Sequence, residues 1–212
     1  WGFPKTFNLF QESMKNWLFD KLWVRNVIQN SLDIPKEKIV FSNHHLSHAA
    51  SSFYCSPFNK AAIVTFDGVG EWATLSIYEF NCKGHHLLKQ MNFPHSIGIL
   101  YSASTFYCGF KINSGEYKLM GLAPYGRKEE ATELKTLIEK SLYRIFDDGS
   151  IELDLSFFKF HYGTETIDEE RWKDIFGFKA RKEEDDLLQF YKDFALAAQM
   201  AVETIILKLC RH

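Results

Sequence analysis

Cysteine is sparse and scattered in this chain: Cys55, Cys82, Cys108 and Cys210 form no CxxC pair. That spacing argues against zinc-finger and redox motifs and points to reduced thiols in a cytoplasmic protein. Long basic runs are missing too, with 25 Lys and Arg against 27 Asp and Glu. A dedicated nucleic-acid binder is not expected from such a balance. No signal peptide is recognisable and no apolar run is long enough to span a bilayer, so no membrane association is expected. No internal repeat is visible. Proline is rare, at 5 residues in 212, and Pro35, Pro57 and Pro124 mark breaks between elements.

Aromatic residues, by contrast, are plentiful. Twenty Phe, nine Tyr and five Trp predict an aromatic-rich core. Hydrophobic residues at 46% and charged residues at 25% are ordinary for a soluble globular protein of one large or two small domains. The chain begins at Trp1 and stops at LKLCRH without a turn signal. The expectation is a piece of a longer protein.

Along the chain, Phe10, Met14, Trp17, Leu18 and Leu22 share one helical face, and Asp33, Pro35 and Lys36 mark the turn that follows. KIVFS reads as a short strand, with Ser42 or Asn43 capping a helix that starts near His44. AAIVTFDG reads as a buried strand with neighbours on both faces. ATLSIYEF and HHLLKQMNF read as two more strands, with Gly84 suited to their hairpin. SIGILYSASTFYCGF predicts a buried helix, and EYKLMGLA a second one ending at Pro124–Gly126. Residues 127–185 carry the charge runs RKEE and RKEEDD without continuous periodicity, and predict an elaborated surface insertion. The final segment places Leu187, Tyr191, Phe194, Ala198, Ala201, Val202, Ile205 and Leu209 on one face of a long core helix.

Three segments are candidates for chemistry. In SNHHLSHAASSF, His44 and His48 stand one helical turn apart, a spacing at which two imidazoles can share a metal ion. His45 points about 100° away by the helical period. The same residues could instead be solvent-facing or core-bonded histidines of a capped helix. HxxxH lacks the intervening Glu of a zinc-protease helix, so peptide hydrolysis is not suggested. In DGVGEW, Gly68 and Gly70 permit positive φ, which would let backbone N–H groups converge on an anion. A plain hairpin explains Asp-Gly equally well. No P-loop lysine and no following helix make it a Walker or Rossmann turn. In NSGEYK, Asn113, Ser114, Gly115, Glu116, Tyr117 and Lys118 could bond a ribose or phosphate, or simply cap an exposed helical turn. His95 could likewise be a simple turn histidine.

The order HHLSHAASSFY, AAIVTFDGVGEWAT, then FPHSIGILYSASTFYCGFKINSGEYKLMGLAPYG closely resembles the O-carbamoyltransferases, including the nodulation-factor, cephalosporin and tobramycin-type enzymes. The resemblance is dense over residues 38–126 and looser over 187–209. It implies an α/β chain forming part of a two-lobed actin and sugar-kinase-like (ribonuclease H-like) fold, with mixed sheets flanked by helices, related to the tRNA threonylcarbamoyl transferase. Residues 1–60 would then end the first lobe. Residues 61–212 would begin the second, with the insertion at about 127–185. The implied reaction moves a carbamoyl group from carbamoyl-adenylate, made from carbamoyl phosphate and ATP, to a hydroxyl of a small-molecule acceptor.

The resemblance also implies a divalent metal, usually iron, on His44 and His48, with His45 a bystander. Asp67, Gly68, Val69, Gly70 and Glu71 would hold phosphate, and Gly115, Glu116 and Lys118 would contact nucleotide. A YrdC-like domain of the same protein would be a partner, and a homodimer is compatible. No catalytic residue is assigned. The family's His-Asp turn, its glycine-rich nucleotide segment and its aspartate third metal ligand find no counterpart here and are expected outside this chain, so the fragment alone is expected to be inactive. Alternatives are a threonylcarbamoyl transferase acting on tRNA and an inactive nucleotide-binding or scaffolding module.

Overall fold

The structure, a computed structural model, describes residue 4 and residues 6–212. The proposed first-lobe segment 1–60 therefore begins on residues, 1–3 and 5, that lie outside the described residues. The architecture is mixed α/β, with helices packed around small antiparallel sheets.

The chain opens with helices α1 (Phe7–Phe19) and α2 (Val24–Leu32). The expected continuous face is divided: the backbone departs from helical angles at Asp20, and Lys21–Trp23 form a single 3₁₀ turn. No residue of either helix is buried, so Phe10, Trp17, Leu18 and Leu22 stand exposed. Asp33 ends α2 in the left-handed conformation, a role that suits its short polar side chain. KIVFS is not a strand. Lys36–Lys38 make a 3₁₀ turn, residues 39–43 belong to no strand, and Val40 is almost fully exposed. A β-branched pair favours extended backbone, but a strand also needs a neighbour.

Helix α3 (His44–Tyr54) starts as expected, with the Asn43 side chain accepting the Leu46 N–H. Strands β1 (Lys60–Gly70), β2 (Ala73–Asn81) and β3 (Gly84–Asn92) form an antiparallel sheet in that order. Gly84, at φ 139°, closes the second hairpin, as its position suggested. Because side chains alternate across a strand, the sheet divides two apolar clusters. Ala61, Ile63, Tyr78 and Phe80 meet Ala49 and Phe53 of α3 on one face. Val64, Leu75 and Ile77 face the main core on the other. β1 is thus covered on both faces yet lies at the sheet edge, and only Thr65 and Gly70 of its 11 residues are buried, so the expectation of a buried strand does not hold.

The main core is built on α4 (Ile97–Tyr107), α5 (Glu116–Leu122) and the long α8 (Gln189–Arg211). It is aromatic, as the composition foretold: Tyr107 contacts Trp172, Phe176 and Phe194 with ring centroids 4.8–5.6 Å apart. Half of that cluster comes from the stretch expected as a surface insertion. There α6 (Lys128–Ser141), the hairpin of β4 (Tyr143–Ile145) and β5 (Ile151–Leu153), and α7 (Glu169–Phe176) supply Ala131, Ile138, Leu142, Trp172 and Phe176 to the shared core. The charge runs occupy the outer faces of helices whose inner positions are apolar. At the start of α8 the nearly buried Asp193 takes the Arg127 backbone N–H, the Arg127 guanidinium and the Gln189 amide. Burial works against its charge, but these bonds hold the carboxyl below its ordinary value.

Candidate functional site

The first turn of α3 meets the end of β1, and three side chains converge there. His44 and His48 project from the same face of α3, as their spacing requires. Between them stands the Asp67 carboxylate. His44 Nε2 lies 2.8 Å from Asp67 Oδ2 and 3.2 Å from His48 Nε2, and His48 Nε2 lies 3.6 Å from Asp67 Oδ2. His44 and His48 are about half exposed and Asp67 about one-third, so the cluster opens to solvent.

These contacts are hard to satisfy with protons alone. A neutral imidazole carries one N–H. If His44 Nε2–H donates to Asp67, it has no lone pair for His48. If it accepts from His48, its lone pair faces the carboxylate. One cation in the centre removes both conflicts. For bonds of about 2.1 Å, ligand atoms stand roughly 3.0–3.5 Å apart in octahedral or tetrahedral geometry, close to the distances seen. Two imidazoles and a carboxylate form a donor set suited to iron, zinc and related divalent metals. The residues present therefore fit a metal.

Asp67 is placed by backbone clamps. Pairing along β1 runs regularly to Phe66↔Leu75 and resumes only at Gly70↔Ala73, so three residues of β1 oppose one of β2. Such a bulge re-aims side chains, and here it lies beside the histidines. Ser96, the buried N-cap of α4, directs its hydroxyl at the Asp67 and Gly68 carbonyls (3.0 and 2.8 Å) while accepting the Ile99 N–H. Gly98 lets α4 approach: a Cβ there would lie 2.5 Å from the Asp67 carbonyl oxygen.

The glycines of DGVGEW serve a purpose other than the expected one. Neither Gly68 nor Gly70 adopts positive φ; in that turn it is Glu71, at φ 62°, that does. Gly70 is needed for space. A Cβ on it would lie 2.6 Å from the His44 ring and 2.7–2.8 Å from the His45 ring, whereas a Cβ on Gly68 would meet nothing within 4 Å. Val69 and Glu71 are exposed, and Glu71 accepts a 3.4 Å bond from the Asn43 amide.

His45 points into the protein, completely buried, with Nδ1 2.8 Å from the Ser76 hydroxyl and Nε2 3.5 Å from Asp67 Oδ2. Burial pushes its imidazole below the ordinary value, although the Asp67 charge opposes this. The other predicted contacts stand apart. Glu116 accepts from the Ser102 hydroxyl and the Asn113 and Gly115 N–H groups. Burial disfavours its charge, yet those bonds keep its carboxyl low. Gly115 is buried, and a Cβ there would strike the Lys111 carbonyl at 2.6 Å, while Lys118 is exposed. No hydrogen bond or ion pair among the described residues joins these three to the histidines or Asp67. They anchor on α4 at Ser102, six residues from Ser96, about 9 Å of helical rise. His95 is not idle either, since its Nδ1 accepts the Leu153 N–H at 3.1 Å.

Sequence reasoning missed Ser76, Ser96 and Gly98, and placed Asp67 with phosphate, a metal-bound water or a ligand hydroxyl rather than directly on the metal. A glycine in the first turn of an otherwise apolar helix was the available signal for Gly98, since it costs helix stability.

The family model described as Carbamoyltransferase N-terminus matches residues 3–212. An uncharacterized protein of Synechocystis, sll1178, is 40% identical over 97% of this chain and 34% of its own length. Nodulation protein NolNO of Sinorhizobium fredii is 30% identical over 91% of the chain and 26% of its own length. Nodulation protein NolO of Bradyrhizobium diazoefficiens is 28% identical over 80% and 28%. The chain thus spans about a third or less of these relatives.

Proposed function

Since the chain belongs to the carbamoyltransferase N-terminus family, we propose that it supplies the metal-binding part of an O-carbamoyltransferase. The observation that carries this reading is the convergence of His44, His48 and Asp67 on one point in a chain of that family. His44, His48 and Asp67 would hold a divalent metal, iron by resemblance, which when bound polarises the carbamoyl oxygen or orients phosphate as a Lewis acid. In this reading the chain belongs to a two-lobed, actin-like protein, with α3 closing the first lobe and β1 opening the second.

The reaction proposed is attack of an acceptor hydroxyl on the carbonyl of carbamoyl-adenylate. A C–O bond to the acceptor forms, the C–O bond to the phosphate of AMP breaks, and the hydroxyl proton leaves to a base not assigned to this chain. The chain's own residues orient. Ser96 and Gly98 fix the Asp67 backbone. The bulge leaves Gly68 and Val69 outside the regular ladder, where their N–H groups can meet a nucleotide phosphate. The exposed Lys118, on α5, is the candidate for a nucleotide contact farther from the histidines. Carbamoyl-adenylate itself would be made from carbamoyl phosphate and ATP by a YrdC-like domain.

The test is an assay of the intact protein with labelled carbamoyl phosphate, ATP and candidate hydroxyl acceptors. Asp67→Asn is expected to abolish transfer to the acceptor while leaving carbamoyl-adenylate formation intact. Transfer undiminished in Asp67→Asn would overturn the reading.

A further inference from the structure

Of the three histidines in HHLSH, His45 is the one that leaves a buried polar atom without a partner: its Nε2 has none, and it faces Asp67 Oδ2 at 3.5 Å. Its other nitrogen is held by Ser76 at 2.8 Å, on the sheet face that packs against α3. From this arrangement we infer that His45 is a positioning residue for Asp67. The Ser76 hydroxyl donates to His45 Nδ1, which places the single imidazole proton on Nε2, aimed at the Asp67 carboxylate.

The opposite tautomer is the worse arrangement. With the proton on Nδ1, the lone pair of the buried Nε2 would point at carboxylate lone pairs with no partner of its own. The neutral Nε2–H form places a donor toward the acceptor and buries no charge. An approach of about 0.5 Å brings the pair to an ordinary N–H···O distance. Gly70 leaves room for this ring position, because any side chain there would occupy the space of the His44 and His45 rings. Asp67 is therefore fixed twice: its backbone by Ser96, its carboxylate by His45. A carboxylate held by a neutral donor keeps its full negative charge for a cation, which is what a supporting group of a metal ligand provides.

This inference rests on the metal reading for its purpose but not for its geometry, and the tests separate the two. In metal-free protein labelled with ¹⁵N-histidine, long-range proton–nitrogen correlation is expected to show His45 protonated on Nε2 and bare on Nδ1. A His45 protonated on Nδ1 would overturn the inference even if metal binds. Cobalt(II) titration of the intact protein supplies the second arm. His45→Leu, which keeps bulk but no donor, is expected to weaken binding roughly 10–100-fold and to alter the cobalt visible spectrum. His45→Gln, whose amide N–H reaches the same place, is expected to restore most of the affinity. Equal affinity and spectrum in wild type and His45→Leu would overturn the inference, as would a folded His45→Gln no better than His45→Leu. Failure of wild type to bind cobalt, with the Nε2–H form present, would sink the metal reading and leave the His45–Asp67 pair standing.

Discussion

Replacing Gly70 by Ala adds one methyl group and isolates a single physical effect. The Gly70 backbone is not in the left-handed region, so Ala brings no φ strain. The cost is steric. The new Cβ would lie 2.6 Å from His44 Cδ2, and ordinary contact begins at 3.4 Å, so the rings or the strand must give by about 0.8 Å. Metal–ligand distances tolerate about 0.2 Å, and the demanded shift is several times that. Overpacking by one methyl in a tight site costs roughly 1–3 kcal/mol, or a Tm lower by roughly 3–10 °C in a chain this size. Gly68→Ala is the internal control, since a Cβ there meets nothing within 4 Å; it should stay within about 0.5 kcal/mol of wild type. Thermal melts and calorimetric titration with cobalt(II) on both variants read the effects together. The reasoning fails if Gly70→Ala melts and binds like Gly68→Ala.

Other consequences can be measured separately. Ser96→Ala removes the cap of α4 and the clamp on the Asp67 backbone, so stability should fall by about 1–2 kcal/mol and metal affinity should fall with it; a stable variant with intact affinity would show the clamp to be incidental. Trp172 is fully buried, so Trp172→Ala should cost about 3–5 kcal/mol in denaturant melts, whereas a cost below about 1 kcal/mol would return residues 127–185 to the status of a surface insertion. Asp193 contributes through a depressed folded pKa: its stabilisation is complete above the ordinary carboxylate value of about 3.9 and is lost as pH falls through the lower folded value. Asp193→Asn should therefore be less stable than wild type at pH 7, with the gap narrowing on acidification to about pH 2–3; a gap independent of pH would show that charge is not the cause.

How much of this was legible in the sequence depended on how local the signal was. Helix α3 and the shared face of His44 and His48 followed from spacing within five residues, whereas the cap was narrowed only to Ser42 or Asn43 and is Asn43. The strands at Ala73–Asn81 and Gly84–Asn92, the buried α4 and the long α8 also showed in their patterns. KIVFS misled because strand propensity cannot report a missing neighbour. DGVGEW signalled glycines correctly but not their reason, since positive φ and close approach of two imidazoles demand the same residue. Asp67 joins the histidines across 19 and 23 positions only through the register of β1 against α3, which no local pattern contains. In α6, Ala131, Leu134 and Ile138 do keep helical spacing, but the surrounding charges hid it. The histidine labelled a bystander proved to be the buried one, fixed by a serine on the next-but-one element.

The metal site proposed for this chain joins two imidazoles, of His44 and His48, and the Asp67 carboxylate. X-ray absorption of the iron- or cobalt-loaded intact protein counts imidazole ligands directly. Two are expected in wild type, one fewer in His44→Ala or His48→Ala, and two unchanged in His45→Gln. Three imidazoles in wild type, or none, would contradict the proposed site.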